Sequence, residues 1–453
     1  MVLCALTLGL VPAAVASQAE AASPTCTAPS ITFAESSAST IAPGVTAIAG
    51  QAGSGAGAVH VHFVRVDLSH NALRVLGRGA SGSLAVSKAL EAVPNGVAAV
   101  NGDLFHVTRD GSSVTPDGSE ADQGTVVKAG AGAPDALTAS TGVAAISAPQ
   151  FAGTVTIADG PTPAVPVSAG TSPPHPSTVR HAPATRPRHP KHVRKHPRHR
   201  KHPRHRKHRK HPVAPRPVAV VPPHWPAGSV VIVPGAQGSL SAVATLNGVN
   251  NVDGGTGAVL VTPSWGSATL TDQLPSDAVE IVTDGSHITR ISTDAPVVPD
   301  PGSTALLLSA QNRQKIPWLG VGDAVTVQVA LNTPIGPAQV AIGGNALLVT
   351  HDVIDPSCTL IPDDSRRPRV AAGTYAGGHM LVLLVSDGDT SDEPGLTFGE
   401  LAVLMHKIGA DDALNLDGGR SSTLDEKISG QWQEVNNGPG DRWVANVLAV
   451  VPR

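Results

Sequence analysis

An α+β fold, a β-rich single domain with few helices interrupted by a disordered basic insertion, is predicted by three features of this 453-residue sequence. Apolar residues make up 41% of it but aromatics only 2%, so the core must be built from Val, Ala, Leu and Ile. That Val- and Thr-rich text, punctuated by 47 Gly and 40 Pro, favours strands over helices. Residues 160–226 then break the pattern, passing from Pro-rich text into repeats such as Lys195-His196-Pro197-Arg198-His199-Arg200. With no apolar periodicity and recurrent Pro, this stretch should be solvated and extended.

The elements follow in order. Residues 1–21 read as a signal peptide: 3–16 form a short apolar run, and Ala14-Val15-Ala16 and Ala19-Glu20-Ala21 both fit a small-residue cleavage site, although a basic leader is missing. No later run reaches the roughly 18 apolar residues of a spanning helix, so a secreted, extracellular protein without a transmembrane segment is expected. Cys4 would leave with the signal, and Cys26 and Cys358 would either pair in an oxidising compartment or stay free. Residues 22–57 are expected to be a flexible lead-in and 58–159 the first part of the body, opening on a strand at Val59–Val66. A short helix at 83–92 should stop before Pro94, and Val97–Val100 should be a strand running into Asn101-Gly102-Asp103, with a Gly-, Asp- and Ser-rich loop to about 124. After the insertion, 227–335 form a β-rich middle part with strands near 229–233, 258–262, 279–283 and 324–330.

Residues 336–453 are the most regular. Val340–Gly344 should be a strand entering a Gly-Gly turn, and Met380–Ser386 an apolar strand ending in Asp387-Gly388. Thr397-Phe398-Gly399-Glu400 matches a capping box. Leu401, Leu404, Met405 and Ile408 then fall on one helix face, and Gly409 supplies a left-handed stop. A strand at Ala413–Leu416 runs into Asp417-Gly418-Gly419, and Trp443–Val451 closes the chain.

The net charge of −3 hides two electrostatic objects. Residues 180–216 hold 15 of the 32 Lys and Arg and no acid, leaving 17 basic against 35 acidic residues elsewhere. Eleven of the 19 His lie between 175 and 224. The tract would serve either as an attachment to an anionic polymer such as cell-wall material, or as a charged spacer. Zn²⁺ or Ni²⁺ binding ranks behind, because neighbouring Lys and Arg repel a dication. Specific nucleic-acid recognition is not expected.

Four strands end in one grammar: Val100-Asn101-Gly102-Asp103, Ile342-Gly343-Gly344-Asn345, Ser386-Asp387-Gly388-Asp389 and Leu416-Asp417-Gly418-Gly419. A polar residue followed by Gly lets a stiff strand turn sharply and present a carboxylate and backbone N–H groups. Singly these are ordinary turn pairs. Together they predict a polar cup into which the four ends converge.

These residues resemble the phosphodiester glycosidase family. The resemblance rests on Asn101–Phe105, Ala341–Gly344 with Leu347–Val349, Arg367–Gly373, Leu383–Gly388, Leu396–Leu401, Gly409–Thr423 and Arg442–Leu448, and is strongest over 340–450. It implies a hydrolase that cleaves sugar-phosphate diesters of the N-acetylglucosamine-1-phosphodiester type, for which cell-wall polymer turnover is the expected setting here. The sequence departs from the family's pattern at Arg420, where a third Gly is usual, and at Asp389, where Arg is usual. A catalytically silent wall- or carbohydrate-binding protein is the rival reading.

The chemistry asks for the same residue types. A glycosyl phosphate leaves readily, so the site must supply cations for the phosphate and a carboxylate for the anomeric carbon or for water. Arg grips phosphate oxygens bidentately, which nominates Arg369, Arg420 and Arg442. Asp417 and Asp387 are the candidate catalytic carboxylates. Ser421, Ser422 and the N–H groups after Gly418-Gly419 would form an anion nest, with Asn101, Asp103 and Gly344 completing the substrate cup. No cofactor is expected. Asp387–Glu393 could hold Ca²⁺, but it lacks the full twelve-residue loop and reads more simply as an acidic turn.

Overall fold

The computed structural model describes residues 29–53, 57–77, 83–107, 114–130, 135–158, 230–234, 239–251, 258–265, 278–293, 303–355, 365–438 and 440–453. The signal-like leader, Cys26, Cys358 and the 160–226 tract lie outside these residues. Among those described, strands dominate, and the α-helices are Val86–Leu90, Ala310–Gln314 and Phe398–Lys407. None of them is long and apolar enough to cross a membrane.

Two sheets and two helices build the layers that carry the strand ends. The first sheet has eight strands, in the order Thr32–Ala42, Val45–Gly53, Val59–Asp67, Met380–Ser386, Arg369–Tyr375, Asp412–Asn415, Ala346–Thr350 and Val353–Ile354. Met380–Ser386 is apolar throughout because it is covered on both faces. Leu381, Leu383 and Val385 enter one core, and Val382 and Leu384 the opposite one, following the two-residue period of a strand. Over one face lies the Phe398–Lys407 helix, with Leu401, Leu404, Met405 and Ile408 in the core. Its start is the expected capping box: Thr397 Oγ1 accepts from Glu400 N at 3.1 Å, and Thr397 N donates to Glu400 Oε2 at 2.9 Å. Gly409, at φ +98°, ends it.

The other face packs on a five-stranded sheet, ordered Gln431–Glu434, Leu424–Ile428, Ala98–Asn101, Asn446–Pro452 and Asn71–Gly77. Ala98, Val100, Leu448 and Val450 face the first sheet. Ala99, Val447, Ala449 and Val451 face outward, beneath the Val86–Leu90 helix. The order is thus helix, sheet, sheet, helix, and the strands reaching the site come from both central layers.

A third sheet of 14 strands has its own core around Val155, Leu246, Leu260, Ile281 and Leu306. In it Gln150–Ala158 and Val230–Pro234 both pair with Leu240–Val249, one on each side. The segments before and after the basic tract therefore belong to one sheet.

Several boundaries differ from expectation. Much of the segment read as a lead-in is an antiparallel hairpin, Thr32–Ala42 with Val45–Gly53, turning at Gly44 (φ +71°). Its alternation is muted because the buried positions are partly Ala and Gly, and the outer strand is largely exposed Ser, Thr and Glu. Gly50 is required there, since a Cβ would sit 2.6 Å from the Phe33 ring. Strands Ala136–Ser140, Val143–Ser147, Leu240–Val249 and Thr304–Ser309 were also unforeseen. The 83–92 helix shortens to Val86–Leu90, and the closing strand divides into Trp443–Val444 and Asn446–Pro452.

Candidate active site

The Asp417–Thr423 loop is built by backbone bonds from three directions. The Leu416 N–H donates to Val370 O at 2.9 Å, Asp417 N to Gly102 O at 2.9 Å and Gly419 N to Pro368 O at 2.7 Å. Asn101 then staples the loop across its mouth: its Nδ2 donates to Asp417 O at 2.7 Å, and its Oδ1 accepts from Thr423 N at 2.9 Å. Asn436 does the same from the other side, accepting from Leu424 N at 2.7 Å and donating to Ser422 O at 3.1 Å. The two glycines answer to this crowding. A Cβ on Gly418 would meet Pro368 O at 3.0 Å, while Gly419 takes φ +61° to start a 3₁₀ turn over Gly419–Ser421.

Above this loop opens a cleft of about 390 Å³, lined among others by Gly388, Gly419, Arg420, Ser422, Asn437 and Arg442. Its size suits a small ligand. Ser422 Oγ and Arg442 Nε are buried and have no hydrogen-bond partner among the described residues. Arg420, at the place where the family has Gly, is exposed and forms part of the wall rather than closing the cleft.

Asp417 sits just behind this wall, partly exposed. Burial pushes its pKa up to about 6, against the hydrogen bonds it accepts from Ser421 and from the Gly418 N–H. Asp387 is 5% exposed. Its Oδ1 accepts from Asn437 N at 2.9 Å, and its Oδ2 lies 3.8 Å from His62 Nε2.

The other sequence candidates are placed elsewhere. Arg369 is buried under the sheet edge, where Nε donates to Leu396 O at 3.0 Å, a terminal nitrogen to Ser365 O at 2.6 Å, and the guanidinium lies 3.8 Å from the Phe398 ring centroid. It fastens the helix start and is not part of the cleft lining. Gly344 packs against Asn415 O and Leu414, so the Ile342–Asn345 end stands on the far side of the Asp412–Asn415 strand. Asp103 is 2% exposed and accepts from Gly118 N at 2.6 Å. Burial raises its pKa to about 8 and that of nearby Glu120 to about 7. Asn446 joins the two, accepting from Asp103 N at 2.8 Å and donating to Glu120 Oε2 at 2.9 Å. Two of the four strand ends, those of Asp387 and Asp417, therefore reach the cleft through Gly388 and Gly419, with the two carboxylates themselves outside its lining; the Asn101 end supports the Asp417 loop.

Asn436, Asn437, Gly438 and Thr390 line the cleft without having been foreseen. Asn436-Asn437-Gly438 reads locally as a turn, and only its pairing across to Leu424 brings it to the site.

The family model described as phosphodiester glycosidase matches residues 276–451, which bears out the resemblance for that part of the chain. No curated protein matches the chain. Among solved structures, a hypothetical protein from Synechocystis is similar at TM-score 0.59 and 17% identity, covering 94% of this chain; this chain spans 64% of that one. A protein from Burkholderia pseudomallei K96243 is similar at TM-score 0.54 and 16% identity, covering 89% of this chain and 74% of the other. The zebrafish N-acetylglucosamine-1-phosphodiester alpha-N-acetylglucosaminidase catalytic domain, auto-inhibited by its pro-peptide, aligns at TM-score 0.40 and 12% identity over 93% of this chain and 88% of its own, too loosely to carry weight.

Proposed function

We propose that the cleft hydrolyses sugar-phosphate diesters, releasing the free sugar and a phosphomonoester. The observation that carries this is the convergence of Arg420, Arg442, Ser422 and the Gly419 backbone on one cleft. Guanidinium groups, a hydroxyl and backbone N–H groups are the donors a phosphodiester asks for. Asp417 supplies the carboxylate, attacking the anomeric carbon or taking a proton from the water that does. The water oxygen ends on the sugar, and the phosphomonoester leaves with the glycosidic oxygen. Because that leaving group is weakly basic, it needs little proton assistance. Asp387, one residue before the cleft wall, is the second carboxylate. Asn101 acts through the Asp417 loop as a positioning residue.

The family match over 276–451 supports the reaction class. Export through the leader, and attachment to an anionic wall polymer through residues 180–216, belong to the same proposal and place the enzyme beside cell-wall phosphodiesters.

The test is incubation with an α-linked N-acetylglucosamine phosphodiester and with other glycosyl phosphodiesters. Free sugar and phosphomonoester in equal amounts are expected. Saturable binding to isolated walls with no product from any diester would overturn the catalytic reading in favour of a binding protein.

A further inference from the structure

Beside the cleft, a second group of side chains is arranged for a different ligand. His60, Asp387 and Glu393 bring ligand atoms within 4.8 Å of one another. The sheet dictates this. Val61 pairs with Ser386 and His62 with Val385, and Asp387 N donates to His60 O at 2.9 Å, so His60 stands opposite Asp387 across the two strands. His62, two residues along, shares that face, and its Nε2 lies 3.8 Å from Asp387 Oδ2. Glu393 returns on the loop after the strand and hydrogen-bonds His60 Nδ1.

The outer contacts orient these groups. Asn437 N donates to Asp387 Oδ1 at 2.9 Å and Asn437 Nδ2 to Glu393 Oε2 at 3.1 Å. Each carboxylate thus has one oxygen held, and its other oxygen lies beside an imidazole. The Gln51 side-chain amide lies 3.1 Å from His60 Nε2, and with its oxygen turned to the ring it would accept from Nε2–H and leave Nδ1 to the carboxylate side. Imidazoles and carboxylates braced by amides in this way are the usual surroundings of a metal ion. Asp387 is only 5% exposed, and its Oδ2 faces His62 Nε2 at 3.8 Å. A simple His60–Glu393 ion pair explains neither the burial of Asp387 nor the approach of His62.

We propose that His60, Asp387 and Glu393 bind a divalent first-row transition ion of the Zn²⁺ class, with His62 beside Asp387 as an outer neighbour. One imidazole and two carboxylates, with water completing the shell, suit that ion; Ca²⁺ prefers six to eight oxygens. His60 would bind the ion through Nδ1 as the neutral tautomer with its proton on Nε2, the ion taking the place beside Glu393 Oε1 that the Nδ1 proton holds. Its position ties it to the cleft, because Asn437 lines the cleft while holding both carboxylates, and Gly388–Thr390 of the cleft wall lie between them in the chain. The proposal does not rest on the glycosidase reading, since binding is read without substrate; where the ion is bound, Asp387 serves as its ligand and not as the second carboxylate of the cleft.

Equilibrium dialysis of the full chain against Zn²⁺, with metal counted by mass spectrometry, tests it. The histidines of residues 175–224 are present in every variant, so the readout is the difference from wild type. His60→Ala and Glu393→Gln should each bind one equivalent fewer at low micromolar Zn²⁺, or bind that equivalent at least about tenfold more weakly. Zn²⁺ should raise the melting temperature of wild type more than that of either variant, with metal-free melting unchanged. Equal stoichiometry and affinity in wild type and either variant, or no binding by wild type, would overturn the proposal.

Discussion

Asp417 and Asp103 are both pushed toward protonation by burial, with different consequences. At Asp417 burial raises the pKa to about 6, inside the range an activity profile would cover. If its carboxylate does the chemistry, kcat/KM should fall about tenfold per pH unit below about pH 6 and level off above it. A profile flat through that range would remove Asp417 from the role. At Asp103 the effect is on stability. A carboxyl whose native pKa, about 8, exceeds its ordinary value of 3.8 takes up protons on folding. Its contribution is fully present below about pH 4 and is lost as the pH rises through about 8. Asp103→Asn should therefore melt higher than wild type near pH 9 and like wild type near pH 4, as thermal denaturation at the two pH values will show. Asp417-Gly418-Gly419 was legible as a candidate because a carboxylate, two glycines and hydroxyls follow an apolar strand. Arg369 was not, since sequence alone cannot tell a guanidinium aimed at phosphate from one stacked on Phe398.

Among elements, the Phe398–Lys407 helix was the easiest to read, because cap, apolar stripe and glycine stop agree. Thr397→Ala removes one side of the box and should cost about 0.5–2 kcal/mol in denaturant unfolding. The Thr32–Gly53 hairpin was the hardest, because Ala, Ser and Gly give no contrast between its faces. The Asn101 end was foreseen as part of the cup and instead braces it. Asn101→Ala strips two partners from the Asp417 loop, leaving a buried carbonyl and N–H unmatched, and should cost about 1–3 kcal/mol. It should also lower kcat more than it raises KM. An Arg442→Lys exchange at the cleft keeps charge but loses the planar fork, so it should raise KM for a diester by about tenfold, read from initial rates.

In the whole molecule, the separation of charge was plain from composition, while the meeting of distant segments was not. Gln150–Ala158 and Val230–Pro234 flank one strand although some 70 residues separate them. No periodicity in a sequence records such pairing. A brief trypsin treatment should cut within the Lys- and Arg-rich 180–216 segment first. The two fragments should co-elute and keep the wild-type melting temperature, because the sheet joins them; separation of the fragments would contradict the assigned pairing.

The account depends most on Asp417. Its most direct test is kcat/KM for a glycosyl phosphodiester in wild type and in Asp417→Asn, which keeps the shape of the side chain and removes its charge. A loss of about 100- to 10,000-fold, with the variant folded and still binding the diester, is the predicted result. Turnover equal to wild type would contradict it.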